Sequence, residues 1–279
     1  MKGAALIANL DKPEVRAIAA EIGRWLQARG IVVYGQRELG VGKPFILGQP
    51  LPPVDLAIVL GGDGTFLMAA GMYGPGETPL LGVNLGRLGF LAEVERGELE
   101  QALAKLVAGE YVVEKRGMLA ARVQRRGERV FAALVLNDVV VTKGPLARII
   151  HLEVAVGSVR IGSYRGDGLI VATPTGSTGY SLSAGGPIVA PNVDMILITP
   201  ICPHTLNVRP IVVARCTKIS VDMKDCGADT YLTLDGQQSF RLERGDRLEI
   251  TDSKHQTSLV RLKGIDFFEI LARKIMENR

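Results

Sequence analysis

Near Met118 the sequence changes its period, and that change bounds the fold more tightly than any single motif. Up to about residue 115, apolar runs of strand length alternate with segments of helical period, as in a parallel sheet wrapped by helices. "GAALIAN" reads as a strand, "PEVRAIAAEIGRWLQARG" as a helix opened by Pro13 and closed by Gly30, and "IVVYG" as the next strand. A polar, Pro- and Gly-rich connection from Gln36 to Pro53 then leads to the continuous apolar run Leu56–Leu60, a predicted interior strand, and to a helix over Thr65–Ala70. "TPLLGVN" adds a strand, and "GELEQALAKLVAGEY" a helix with Leu99, Leu103 and Leu106 on one face. From Met118 the runs are short, β-rich and separated by turns, among them "HLEVAVGSVRIGSY", "DMILITP" and "TYLTLDG". The last segment, "IDFFEILARKIMENR", returns to an amphipathic helix with Phe267, Ile270, Leu271 and Ile275 on one face. The expected fold is an α/β N-terminal domain, doubly wound and Rossmann-like, over 1–117 plus 263–279, the final helix returning to it. A β-rich, β-sandwich-like domain is expected over 118–262.

Composition narrows the function classes. At 279 residues, 47% hydrophobic and 22% charged, the chain can build two cores. A formal charge of +4 suits anionic small molecules, whereas scattered basic residues and 5% aromatics offer little for stacking bases, so no nucleic-acid partner is expected. Cys202, Cys216 and Cys226 form no C-x-x-C pair, and His151, His204 and His255 are far apart in sequence. Neither a disulfide framework nor a His-rich metal site is indicated. No apolar run reaches membrane-span length, and the N-terminus lacks a signal-peptide core, so a soluble, cytoplasmic setting is expected.

Four stretches invite chemistry. In "DLAIVLGGDGTFLMAA", residues 55–70, an acid stands bare among glycines where a strand gives way to a helix. In open α/β sheets that is where ligands bind, so Asp63 points toward a ligand crevice, unless it, or Thr65, merely caps the helix. "GDGLIVATPTGSTGYSLSAGGPIV", Gly166–Val189, sets glycines and hydroxyls between two apolar runs. Thr173, Thr175, Ser177, Thr178, Ser181 and Ser183 there suit sugar hydroxyls and phosphates. "LNDVVV" has Asn137 and Asp138 punctuating an otherwise apolar strand, and "TLDGQQ" fits a hairpin with Asp235 and Gly236 at its tip; each alone reads as a turn. The P-loop pattern fails because Gly42-Lys43 is followed by Pro44, and G-x-G-x-x-G fails at Leu67.

Together these elements carry a resemblance. "GGDGTFL", "NLGRLGFL" at Asn84–Leu91, "LND" at Leu136–Asp138, "TPTGSTGYSLSAGGPIV" at Thr173–Val189 and "LDGQ" at Leu234–Gln237 stand in the order and spacing of the NAD kinase family. The chain resembles that family over nearly its whole length. It departs at Gly179, where the family usually has alanine. The resemblance implies transfer of the terminal phosphoryl group of ATP, or of inorganic polyphosphate, to the 2′-hydroxyl of the adenosine ribose of NAD. It implies Asp63 as the catalytic acid-base group. Dinucleotide contacts are implied at Asp63, Gly64, Asn137, Asp138, Arg148, Arg165 and Asp167, at Thr178, Gly179, Tyr180, Ser181, Leu182 and Ser183, and at Gln237. It implies a divalent cation, Mg²⁺, held mainly through donor phosphates without a protein metal ligand, and a homodimer or homotetramer with "SYRGDG" as a reach-across loop. The alternatives are a lipid or sugar-phosphate kinase of the wider G-G-D-G-T group and a non-catalytic dinucleotide sensor.

Overall fold

The computed structural model describes residues 1–76, 78–86, 89–145, 148–204, 207–227, 229–264 and 266–277. Arg87 and Leu88 of the "NLGRLGFL" stretch, and the side chain of Ile275, lie outside the described residues. The chain divides into two compact units, Met1–Lys115 with His255–Arg279, and Arg116–Lys254.

The first unit runs β1 (Gly3–Ala8), α1 (Val15–Gln27), β2 (Val32–Gln36), β3 (Lys43–Phe45), β4 (Leu56–Gly61), α2 (Asp63–Tyr73), β5 (Leu80–Asn84), β6 (Val94–Glu95) and α3 (Leu99–Ala108). Its strands are parallel in the order β3-β2-β1-β4-β5. β1 and β4 are buried along their whole length, as sheet strands covered on both faces must be. The apolar stripe of α1, Val15, Ile18, Ala19, Ile22 and Leu26, packs in one core with Ala4, Leu6 and Ile58 and with Leu99, Leu103 and Leu106 of α3. From β1 the chain winds outward through β2, and from β4 the opposite way through β5. β1 and β4 therefore flank the switch point where such folds open a crevice.

Two sequence expectations change here. The connection from Gln36 to Pro53 contains a strand, β3, which three residues and a proline disguise; Pro44 is tolerated because β3 is an edge strand. Pro13 and Gly30 flank α1 from outside: the helix starts at Val15 behind Glu14, and Gly30 (φ 75°) closes the turn after it.

β7 (Val112–Arg125) starts in the first unit and runs into the second, which continues with β8 (Glu128–Val135), β9 (Asp138–Lys143), β10 (Ile150–Val156), β11 (Val159–Gly166), β12 (Gly168–Ala172), α4 (Tyr180–Ser183), β13 (Met195–Ile201), β14 (Ile211–Ala214), β15 (Ile219–Asp225), β16 (Thr230–Leu234) and β17 (Gln238–Leu242). β18 (Arg247–Arg261) pairs with β15 at its start, and its end lies beside β5 in the first unit; α5 (Phe267–Glu277) completes that unit. One antiparallel sheet of the second unit contains β11-β10-β15-β18 and the β7–β8 pair; the other is β14-β13-β12-β9-β16-β17. Alternation sorts the second sheet: Val139, Val141, Leu169, Val171, Ile196 and Ile198 share a core with Leu152, Val154, Val221 and Ile250 of the first sheet. Val140, Ile170, Ala172, Met195 and Leu197 face the other way, beneath Ala184 and Val189. The fold is thus an α/β unit with a parallel sheet and a β-sandwich-like unit, closed by a terminal helix.

Candidate active site

Asp63 is the first residue of α2, directly beyond the switch-point strand β4. No side chain caps this helix, so the expectation of Asp63 or Thr65 as a cap is not met. Instead the Asp63 carboxylate reaches across to the segment after β5. Its Oδ2 accepts the N–H of Phe90 at 2.8 Å, and its Oδ1 accepts those of Leu91 at 3.0 Å and Ala92 at 3.3 Å. The glycines around it differ in purpose. Gly61 is closed in by Thr65, whose Cβ lies 2.7 Å from where a Gly61 Cβ would stand, whereas nothing lies within 4 Å of a Cβ at Gly62 or Gly64. The two glycines flanking Asp63 therefore border open space, which lets a ligand approach backbone amides and the first turn of the helix.

In the second unit, three strand ends meet. Asn137 lies between β8 and β9, where the chain leaves one sheet for the other; Asp138 opens β9 opposite Ala172, the last residue of β12. Thr173 follows, donating its hydroxyl to Leu136 O at 2.6 Å, while its N–H bonds Asn137 O at 2.8 Å. From the β16–β17 hairpin Asp235 accepts the N–H groups of Leu136, Asn137 and Asp138 at 2.8, 2.7 and 3.0 Å. Its φ of 51°, with Gly236 at 66°, lets the turn close while the side chain points inward. The Asp138 carboxyl is buried, and desolvation together with the charge of Asp235 pushes its pKa from an ordinary 3.8 up to about 7. Burial also pushes Asp235 up, against the pull of its three amides. Asn137 Oδ1 is buried with no partner, an acceptor ready for an N–H or O–H.

The hydroxyl-rich stretch divides in a way the sequence did not foretell. Ser177 exchanges two hydrogen bonds with the Val189 backbone, Ser181 bonds Thr199, and Thr173 is spent on Leu136. All three are buried, because they pin the segment onto the outer face of the second sheet. Thr178 and Gly179 are half-buried, and Tyr180, Leu182 and Ser183 are exposed. At Gly179 an added Cβ would lie 3.5 Å from Asn137 Nδ2 and 3.8 Å from Asp138 Oδ2, so the family's usual alanine has room.

Arg148 is exposed, Arg165 is exposed on β11, and Gln237 is exposed on the hairpin. Asp167 pairs with Lys143 at 3.5 Å. "SYRGDG" is not a loop: Ser163–Gly166 belong to β11, Gly168 to β12, and Asp167 alone connects them. Gly166 and Gly168 are packed against the backbones of Cys202 and Val141, where a side chain does not fit. Among the described residues no three His, Cys, Asp or Glu side chains are grouped to hold a metal ion, and no helix is long and apolar enough to cross a membrane. Gly89 went unremarked in the sequence as an individual residue, although it lies in the quoted "NLGRLGFL" stretch, and Asp235 was read only as a turn tip.

Comparison with known proteins agrees with this layout. The family model "ATP-NAD kinase N-terminal domain" matches residues 52–111, and "ATP-NAD kinase C-terminal domain" matches 136–262. The NAD kinase of Geobacter sulfurreducens is 45% identical over 99% of this chain and 98% of its own, and that of Moorella thermoacetica 43% over 99% and 90%. Among solved structures, an NAD kinase from Archaeoglobus fulgidus in complex with ATP has a TM-score of 0.75, with 28% identity over 98% of each chain. Yeast NADH kinase complexed with NADH shares the fold, with a TM-score of 0.89 and 23% identity over 99% of this chain and 87% of its own. An α/β unit with an acid at its switch point, joined to a two-sheet unit, is here the architecture of a nucleotide-phosphorylating enzyme. The chain belongs to the NAD kinase family.

Proposed function

We propose that this kinase transfers the terminal phosphoryl group of ATP to the 2′-hydroxyl of the adenosine ribose of NAD, with Asp63 taking the proton of that hydroxyl. The observation that carries the reading is the Asp63 carboxylate itself, fixed at the switch point by three amides and flanked by open glycines. In the step, the ribose oxygen bonds to the γ-phosphorus, the bond to the bridging oxygen breaks, the proton passes to Asp63, and ADP leaves. Asn137, with its buried unpartnered Oδ1, and Asp138 suit ribose hydroxyls and base edges. Gly64, Arg148, Arg165, Asp167, Thr178–Ser183 and Gln237 complete the proposed dinucleotide contacts, Ser181 through its backbone because its hydroxyl is bonded to Thr199. Mg²⁺ would be held mainly by the donor phosphates and water, where it would offset phosphate charge. Inorganic polyphosphate presents the same linked phosphoryl groups and is the second donor proposed; the active form is a cytoplasmic homodimer or homotetramer. The test is incubation with NAD, Mg²⁺ and either donor, reading NADP by a dehydrogenase specific for it, beside an NAD analogue lacking the adenosine 2′-hydroxyl. NADP from NAD and no phosphorylated product from the analogue is the expected result; a phosphorylated analogue overturns the assignment of the acceptor.

A further inference from the structure

The three amides that hold Asp63 are consecutive, and Gly89 immediately precedes them. A carboxylate offers about four acceptor positions, two on each oxygen. Oδ1 accepts Leu91 and Ala92, which fills it; Oδ2 accepts Phe90 alone and keeps one position. Gly89 is buried and touches the carboxylate so closely that a Cβ there would overlap Oδ1 and lie 2.7 Å from Cγ and 3.0 Å from Oδ2. The segment has little room to yield. A Cβ at Gly82 of β5 would lie 2.6 Å from Ala92 Cα, and Glu93 N bonds Gly82 O at 3.1 Å. Beyond it, Glu93 Oε1 accepts the N–H groups of Leu262 at 3.2 Å and Lys263 at 2.6 Å, while the Phe90 ring packs 5.6 Å from that of Phe267 on α5.

We propose that Gly89, with the Phe90–Ala92 amides it precedes, is the positioning residue of the phosphoryl-transfer step: by carrying no side chain it lets Asp63 seat on three amides, leaving one acceptor position on Oδ2 for the substrate hydroxyl. This inference rests on the reading of Asp63 as the base. A side chain at 89 displaces the carboxylate without touching its charge, so the chemical step suffers while substrate binding is retained.

The test is a double-mutant cycle of Gly89→Ala and Asp63→Asn, with kcat and KM measured for NAD and ATP. Gly89→Ala is expected to lower kcat by roughly 10–100-fold with both KM values within about threefold, the signature of lost orientation. In the Asp63→Asn background the same change is expected to lower kcat by less than about twofold, because there is no base left to orient. An equal loss in both backgrounds, or no loss in the parent, overturns this inference alone. If Asp63→Asn keeps turnover within a few-fold of the parent, the proposed function falls and this inference with it. Should Gly89→Ala fail to fold, amide hydrogen exchange in Asp63→Ala decides: Phe90, Leu91 and Ala92 are expected to exchange at least about tenfold faster than in the parent. Unchanged protection there overturns the proposal.

Discussion

Asp63 and Asp235 are bonded alike, each to three consecutive backbone amides, yet their surroundings assign them different work. Asp235 is buried and out of reach, so it organises the start of β9; Asp63 is half-exposed beside open glycines, so it can meet a substrate. Asp63→Asn keeps the size but removes the proposed base, and turnover is expected to fall roughly 10²–10⁴-fold with NAD affinity, read by titration calorimetry, nearly unchanged. Asp138 makes a prediction about pH. Its carboxyl stands near 7 in the folded chain against 3.8 ordinarily, so the fold holds its proton while the unfolded chain has released it. Below the lower value no penalty exists, between the two values stability falls as pH rises, and above the upper value the penalty is complete, on the order of a few kcal/mol. Asp138→Asn should therefore raise the urea midpoint at pH 8 and leave it nearly unchanged at pH 3.5; an equal shift at both would show that Asp138 does not titrate in this range. Asp63 stands out in the sequence because glycines and a strand-to-helix change isolate it. Gly89 does not, because what it touches is a side chain 26 positions earlier, and only the folded chain brings the two together.

Elements were legible where periodicity is strong, and misread where residues serve a neighbour instead of their own segment. α1 and α3 show their apolar stripes in the sequence, and the apolar runs of β4 and β12 announce strands buried on both faces. The serines and threonines of 173–183 have the composition of a ligand lining, but Ser177 and Ser181 tie the segment down over the second sheet, a demand set by Val189 and Thr199 far along the chain. "SYRGDG" reads as a loop because glycines usually mark one; here two glycines lie where other backbones leave no space, and the chain passes from one sheet to the other in a single residue. The β16–β17 hairpin was read correctly as a turn, yet its tip residue fastens another element, the crossing from β8 to β9. Asp235→Ala leaves those amides without their partner, and a loss of at least about 1–3 kcal/mol is expected in urea unfolding. The same change removes the charge beside Asp138, so the Asp138 carboxyl, followed by carbon-13 NMR, is expected to titrate at lower pH than in the parent. A variant as stable as the parent would show that water takes over the three amides.

For the whole chain, the change of period near Met118 was enough to separate an α/β half from a β-rich half, since parallel and antiparallel sheets impose different patterns on sequence. Association is different, because it depends on which edges remain uncovered after folding. The second sheet ends in β14 and β17, and the two edges are unlike. β17 carries Arg241, whereas β14 is Ile-Val-Val-Ala with Val212 55% exposed and no charged side chain on the strand. Val193 and Ile188 are exposed in the same unit. An uncharged apolar edge is one that soluble proteins ordinarily cover, and a second copy of the chain is the commonest cover. The homo-oligomer proposed above is therefore expected to dissociate in Val212→Lys, read as a lower sedimentation coefficient at equal protein concentration. Whether one copy completes the site of another is tested by mixing. Asp63→Asn and Asp167→Asn, each expected to be inactive alone, are allowed to exchange subunits; if the site is shared, mixed assemblies contain one intact site and part of the activity returns. Exchange without recovery, with mass spectrometry showing mixed assemblies present, would mean that Asp167 and Asp63 serve a site built within one chain.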